Sequence, residues 1–420
     1  MALRKVKNLS RRQALSTATK IGIALGLGTI IGATCGYFGG ILTSPPTAKT
    51  VTETVTKKAT TISVTRTTTI TSPKTTTITS PITLIKTFTT MLSENTGMPT
   101  LRQLAEEAGI LIGFASVNNF WSLPDSEKYI EVAKREFNIL TPENQMKWDS
   151  IRPGPDSYNF DDADKHVKFA LDNDMVVHGH TLVWHNQLPT WLTAGEWKKE
   201  ELKNLLEEHI KTVVKHYKGR VMIWDVVNEA LDDDGTFRQS IWYNAMGSEY
   251  IEKAFLWARE ADPDAILIYN DYGIETINSK SDALYNLVRK FKEKGIPIDG
   301  IGLQMHITVN GIDYESFAKN LERFATLDLK LYITEMDVRI QGKPTVENLL
   351  KQAEVYKSVL QRCLNQPAVK AIQFWGFTDK YSWIPYFFPD SGSALIFDEN
   401  YNPKPAYYAL KEVLSAYVVG

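Results

Sequence analysis

Asn228-Glu229 and Thr334-Glu335-Met336-Asp337 each close a short run of β-forming residues, Val221–Val227 and Leu329–Thr334. A carboxyl group at a strand end is held at a fixed place, and two that face each other can share one reaction. One, protonated, gives its proton to a departing oxygen; the other, ionised, acts at the carbon which that oxygen leaves. Glycosidic bond cleavage needs such a pair. A separation of about 5 Å allows direct attack and retention, whereas about 6.5–9.5 Å leaves room for a water and gives inversion. Asp337 follows Glu335 by two residues and so shares its strand face. With His306, from the run Ile298–His306, it could keep Glu335 ionised and oriented.

Other β-type runs end in residues of the same kind. They are followed by or end in Glu143-Asn144-Gln145-Met146-Lys147-Trp148, His178-Gly179-His180-Thr181-Leu182-Val183-Trp184-His185, Asn270-Asp271-Tyr272, Gln304-Met305-His306 and Trp375. Charges that merely cap strands at a surface would be Lys and Glu without interleaved Trp, Gln and His. The set therefore points to a site, although a single member such as His178 or Asp271 could as well be structural.

The elements that must position these groups are eight β-type runs: Ile110–Phe114, Phe137–Leu140, Met175–His180, Val221–Val227, Ala265–Tyr269, Ile298–His306, Leu329–Thr334 and Val369–Trp375. Helical patterns separate most of them. Leu202, Leu205, Leu206, Ile210, Val213, Val214 and Tyr217 have the i, i+3, i+4 spacing of an amphipathic helix, and Tyr250, Ile251, Ala254, Phe255 and Ala258 repeat it. Strands alternating with helices indicate parallel βαβ units. Eight of them predict an α/β fold, a (β/α)8 TIM barrel, whose functional groups gather at the C-terminal strand ends. An open doubly wound sheet is the alternative, but Gly113-Phe114-Ala115-Ser116 lacks the glycines of a phosphate loop.

This globular composition covers residues 96–420. Residues 1–42 are different: a basic start (Arg4, Lys5, Lys7, Arg11, Arg12, Lys20) precedes an uncharged, Gly-rich apolar run, Ile21–Leu42, long enough to cross a bilayer. Ser10-Arg11-Arg12-Gln13-Ala14-Leu15 resembles a twin-arginine signal. A cleaved signal and a retained anchor are both open, and both put the remainder outside the cytoplasm, secreted or tethered to the outer membrane face. Residues 43–95 are rich in Thr, Ser and Pro, with Thr67–Pro73 nearly repeated as Thr75–Pro81. Such a stretch buries too little apolar area to offset its ordering entropy, which predicts a disordered linker, a spacer of the kind often O-glycosylated.

A net charge of −2 over 420 residues gives no support for nucleic acid as a partner. Of the two cysteines, Cys35 lies in the N-terminal run and Cys363 on an apolar helix face, so no disulfide framework exists. His209 and His216 are expected at the edge of the core, and His166, in a charged helical stretch, in solvent.

Five ordered motifs carry a resemblance: Thr141-Pro142-Glu143-Asn144-Gln145-Met146-Lys147-Trp148-Asp149, Gly179–His185, Trp224-Asp225-Val226-Val227-Asn228-Glu229, Ile333-Thr334-Glu335-Met336-Asp337 and Trp375-Gly376-Phe377-Thr378-Asp379. Over about residues 100–418 the chain resembles glycoside hydrolase family 10, the endo-β-1,4-xylanases. The resemblance implies a retaining mechanism on xylan, with Glu229 as general acid/base, Glu335 as nucleophile, no cofactor and no catalytic metal. It matches Asn228 to the residue that contacts the sugar 2-hydroxyl. Glu143, Asn144, Lys147, His180, Trp184, Gln187, Gln304, Trp375 and Trp383 match positions lining the glycone side, and His306 joins both this set and the support of Glu335. Tyr272 falls on the leaving-group side, where the family commonly has Asn at the position of Gly273. A monomeric catalytic domain is expected.

Three other readings are open to test. A β-1,4-glucanase could share nearly all of these residues, since one hydroxymethyl group is a small difference to discriminate. A metal-dependent barrel hydrolase could use the His178/His180 pair. A non-catalytic polysaccharide-binding barrel would usually have lost a carboxylate, and here both are present.

Overall fold

The computed structural model describes residues 49–57, 60–68 and 99–419. The proposed signal or anchor, residues 1–42, lies outside them. Within the stretch expected to be a spacer, Lys49–Lys57 and Thr60–Thr68 pair antiparallel, Lys49 opposite Thr68. β-branched residues favour this extended backbone, although a two-stranded hairpin is marginal in water by itself.

The globular part contains β1 (Leu111–Ser116), β2 (Ile139–Pro142), β3 (Val176–Gly179), β4 (Ile223–Asn228), β5 (Ile266–Asp271), β6 (Gly300–Leu303), β7 (Lys330–Gln341) and β8 (Val369–Phe374). Its main helices are α1 (Leu101–Ala108), α2 (Ser126–Glu136), α3 (Asp161–Asp172), α4 (Lys199–His216), α5 (Glu249–Ala261), α6 (Ser279–Lys294), α7 (Tyr314–Ala325), α8 (Val346–Asn365) and α9 (Pro405–Val419). Each strand pairs parallel with the next, and β8 closes on β1, which makes the (β/α)8 barrel. All eight expected strands are present. Most begin one or two residues late, because the residue before the first ladder bond is already buried. β7 runs furthest beyond expectation, to Gln341, since Met336, Val338 and Ile340 continue the buried alternation and Asp337–Arg339 pair with His306–Thr308.

The period of two sorts side chains into two cores. Outward-facing Phe114, Leu140, Val177, Trp224, Leu267, Ile301, Leu331 and Ile372 pack in the large cluster with the helices. Inward-facing Ile139, Val176, Ile223, Ile268, Tyr332 and Ala371 form a small separate apolar plug. Toward the C-terminal mouth the interior turns polar: Thr141 Oγ1 donates to Gln373 Oε1 (2.8 Å), and Gln373 Nε2 meets His178 Nδ1 (2.8 Å). The plug closes the barrel from below, so the polar layer above it opens at one end only.

Two histidines depart from expectation. His166 is buried, not solvated, with Nδ1 2.7 Å from Ser116 Oγ. It falls on the same stripe of α3 as Ala163, Val167 and Ala170, and burial pushes it down to about 3. His209 lies fully inside, stacked on Trp148 with ring centroids 3.6 Å apart; among the described residues neither ring nitrogen has a hydrogen-bond partner. His216 sits at the edge as expected, bonded to Asp164 at 2.9 Å. Cys363 is buried on α8.

Candidate active site

Glu229 and Glu335 both lie at the C-terminal mouth, at the ends of β4 and in the extended β7. Glu335 is only 5 % exposed. Its Oε1 accepts a hydrogen bond from Asn270 Nδ2 (2.7 Å), and its Oε2 is 3.1 Å from His306 Nε2. The other nitrogen of His306 is 2.9 Å from Asp337 Oδ2, which also accepts from Trp383 Nε1 at 2.8 Å. Burial alone would lower the His306 pKa. The charge and hydrogen bond of Asp337, followed by those of Glu335, outweigh it and push His306 up to about 10. His306 is thus an imidazolium whose two ring nitrogens meet Glu335 and Asp337, the contacts expected of that trio.

Glu229 has different neighbours. Trp184 Nε1 donates to its Oε2 (2.9 Å) and Gln304 Nε2 to its Oε1 (3.0 Å). Its backbone is left-handed (φ 55°), uncommon for a residue with a side chain, and is held at both ends. The N–H donates to Asn270 O (2.9 Å), and the carbonyl accepts from Arg238 Nε (2.9 Å). Amides connect the two carboxylates. Asn228 Oδ1 accepts from both Asn270 Nδ2 (2.9 Å) and Gln304 Nε2 (3.2 Å), while those same nitrogens donate to Glu335 and Glu229 respectively. Asn270 reaches this place because its strand neighbour is Gly302; a Cβ there would collide with Asn270 Oδ1.

The ends of β2, β3 and β8 bring together the groups expected on the glycone side. Lys147 Nζ bonds Asn144 Oδ1 (2.9 Å) and Gln187 Oε1 (2.6 Å), and lies 4.9 Å from the Trp184 ring centroid and 5.9 Å from that of Trp375. His180 packs edge-on to Trp375 (5.2 Å), and Trp383 to His306 (4.9 Å). Burial raises the Glu143 pKa, opposed by Lys147 and Asn144, and the nearby Glu335 adds to the rise. Hydrogen-bonding groups and aromatic faces thus alternate along one wall, which suits a ring with polar edges and apolar faces.

His178 and His180 do project together, but onto one carboxylate: Asp225 bonds His178 Nε2 at 2.9 Å and His180 Nδ1 at 2.7 Å. Burial works to raise the Asp225 pKa, yet the two imidazoles bring it down to about 2. Ligand-type atoms of His180, Asp225 and Glu335 lie within 4.8 Å of one another. The donor set nevertheless fits a metal poorly, because the Asn270 amide N–H points at Glu335 Oε1 and both imidazoles already serve Asp225. Tyr272 follows β5, its hydroxyl 3.0 Å from Arg238 Nη2, and Gly273 adopts φ 69°, a region open to Gly and Asn alike.

Asn270, Arg238 and Asp225 acquire roles that motif positions alone did not assign. Alternation could have found two of them, since Asn270 and Asp225 point inward by strand phase. Arg238 lies in an irregular loop and leaves no periodic signal.

A closed parallel barrel with one carboxylate at the end of β4 and another on β7, surrounded by amides and tryptophans, defines the class of barrel glycosidases. The model of Glycosyl hydrolase family 10 matches residues 100–413. Endo-1,4-beta-xylanase B of Thermotoga neapolitana is 68% identical over 315 residues, 75% of this chain and 91% of that protein. Native xylanase 10B of Thermotoga maritima is 67% identical, with a TM-score of 0.76 over 76% of this chain and 99% of its own. Xylanase 10B of Thermotoga petrophila RKU-1, solved in complex with xylobiose, is 66% identical, with a TM-score of 0.76 over 76% and 98%. The chain belongs to glycosyl hydrolase family 10.

Proposed function

We infer that this chain is an endo-1,4-β-xylanase, hydrolysing β-1,4-xylosidic bonds in xylan by double displacement with retention. The observation that carries the assignment of roles is the unlike setting of the two carboxylates. Glu335 is the nucleophile: His306 at 3.1 Å and the Asn270 amide at 2.7 Å hold its two oxygens in place. Glu229, hydrogen-bonded directly by the neutral Trp184 and Gln304 side chains, is the acid that protonates the leaving oxygen. Once Glu335 is esterified its charge is gone, and Glu229 serves as base toward the incoming water. To Asn228, as the resemblance implies, we assign the contact with the sugar 2-hydroxyl, which tightens in the oxocarbenium-like transition state.

Preference for xylose over glucose is supported by the anchoring of Trp383 to Asp337, which leaves that wall little freedom to yield to a hydroxymethyl group. Comparing kcat/KM on xylan and on β-1,4-glucan oligomers of equal length tests this. A ratio in favour of glucan would overturn the xylan assignment.

We propose further that the enzyme works outside the cytoplasm, with a monomeric catalytic domain, released or tethered through residues 1–42. The basic start, the uncharged run and the Thr-rich stretch support the location. N-terminal sequencing of enzyme recovered from medium and membrane fractions separates release from tethering. Recovery only from cytosol would contradict both.

A further inference from the structure

Seen around the barrel, Glu229 on β4 and Glu335 on β7 divide the strands into two arcs. Trp184, Lys147 and Trp375 stand on the arc of β8, β1, β2 and β3. Tyr272 stands on the other, after β5. The resemblance to family 10 puts Tyr272 on the leaving-group side of a bound sugar chain. We propose that Lys280, Asp271 and Arg238 are positioning residues that lock the Tyr272 ring to the backbone of Glu229, and so favour a sugar over water as acceptor of the glycosyl group. This rests on the function proposed above.

Lys280, in the first turn of α6, is 2 % exposed, and its Nζ lies 3.5 Å from the Tyr272 ring centroid and 2.9 Å from Asp271 Oδ1. One face of the ring is thereby occupied, leaving the other for a pyranose. Asp271 Oδ1 also accepts from the Tyr272 N–H (2.9 Å), and Oδ2 accepts from Tyr269 OH (2.7 Å). That hydroxyl in turn accepts the Ala230 N–H at 3.0 Å. From the other direction, Arg238 Nη2 donates to Tyr272 OH (3.0 Å) and Arg238 Nε to the Glu229 carbonyl (2.9 Å). The circuit is closed: ring, cation, carboxylate, phenol, backbone of Glu229 and Ala230, guanidinium, ring. A buried lysine is costly unless paired, and this one is shared among Asp271, the Tyr272 face and, at 3.7 Å, the exposed Asp233.

The circuit sets the plane of the leaving sugar and the position of the acid in one frame. Its consequence is sharpest in the second step. An acceptor hydroxyl attacks the anomeric carbon, the bond from that carbon to Glu335 breaks, and the hydroxyl proton passes to Glu229. Water needs no platform for this, whereas an acceptor sugar must be held flat against Tyr272.

The test uses an aryl β-xylobioside with a good leaving group, with xylobiose as acceptor, and reads the ratio of transfer product to hydrolysis product. Lys280→Met is expected to lower this ratio about tenfold, the scale of a modest misplacement, while release of the aryl group falls much less. The same fall is expected in Lys280→Met combined with Asp271→Asn, where no carboxylate is left buried and unpaired. Tyr272→Phe, which removes only the hydroxyl held by Arg238, should lower the ratio about threefold. An unchanged ratio in the folded lysine variants overturns the proposal; if neither folds, an unchanged ratio in Tyr272→Phe does so. An unmodified enzyme that releases no aryl group would instead overturn the functional reading beneath it.

Discussion

Glu335 and Glu229 are the same residue type on the same rim, connected through the same amides, and yet they inhabit different electrostatic settings. Glu335 faces an imidazolium that Asp337 holds in its charged form. Glu229 accepts hydrogen bonds from an indole N–H and a carboxamide, both neutral, and the nearest imidazole, His185, is 3.9 Å away. A group that stays ionised until it bonds to carbon needs a fixed counter-charge. A group that must lose and regain a proton in each cycle is better served by dipoles. The difference lies in what surrounds each carboxylate, not in the carboxylates themselves.

Variants on the two sides should therefore fail differently. Glu335→Ala removes the attacking group, and kcat is expected to fall by about 10⁴-fold or more on every substrate. Glu229→Ala should cost about 10³-fold in kcat/KM where the leaving group is a sugar and about tenfold or less where it is an activated phenol. Equal losses on both substrate types would contradict the acid role. Asp337→Asn leaves Glu335 in place but withdraws the partner that charges and orients His306, with an expected loss of about 10²-fold in kcat. A loss confined to KM would argue against that support.

The smallest effect concerns stability. His306 is raised to about 10 in the fold against an ordinary value of 6.5, so the folded state holds its proton more tightly than the unfolded chain. The stabilisation is complete below about pH 6.5 and lost progressively as pH rises toward 10. Thermal midpoints measured from pH 6 to 10 should decline, and less so in His306→Gln; an equal decline in both would place the effect elsewhere.

Much of this site is legible before the fold is known, for a physical reason. Strand ends in a barrel must converge, so Glu229, Glu335, His306 and Asp337 could be brought together by order and alternation alone. Burial on helices was legible in principle: His166 lies at the spacing of Ala163, Val167 and Ala170, and its charged neighbours Lys165 and Lys168 obscured the stripe. The hairpin Lys49–Lys57 with Thr60–Thr68 arises from β-branched residues whose preference composition registers without its pairing. Arg238 and Lys280 were not legible. Their contacts join a loop and a helix to different strands, and no local period encodes such a meeting.

In the proposed reaction an ionised Glu335 attacks carbon directly while Glu229 handles the proton. Proton NMR during cleavage of a xylan oligomer tests it most directly, because the first-formed reducing end shows its configuration before mutarotation. The β anomer appearing first is the predicted result; the α anomer appearing first would mean that water, not Glu335, makes the first attack.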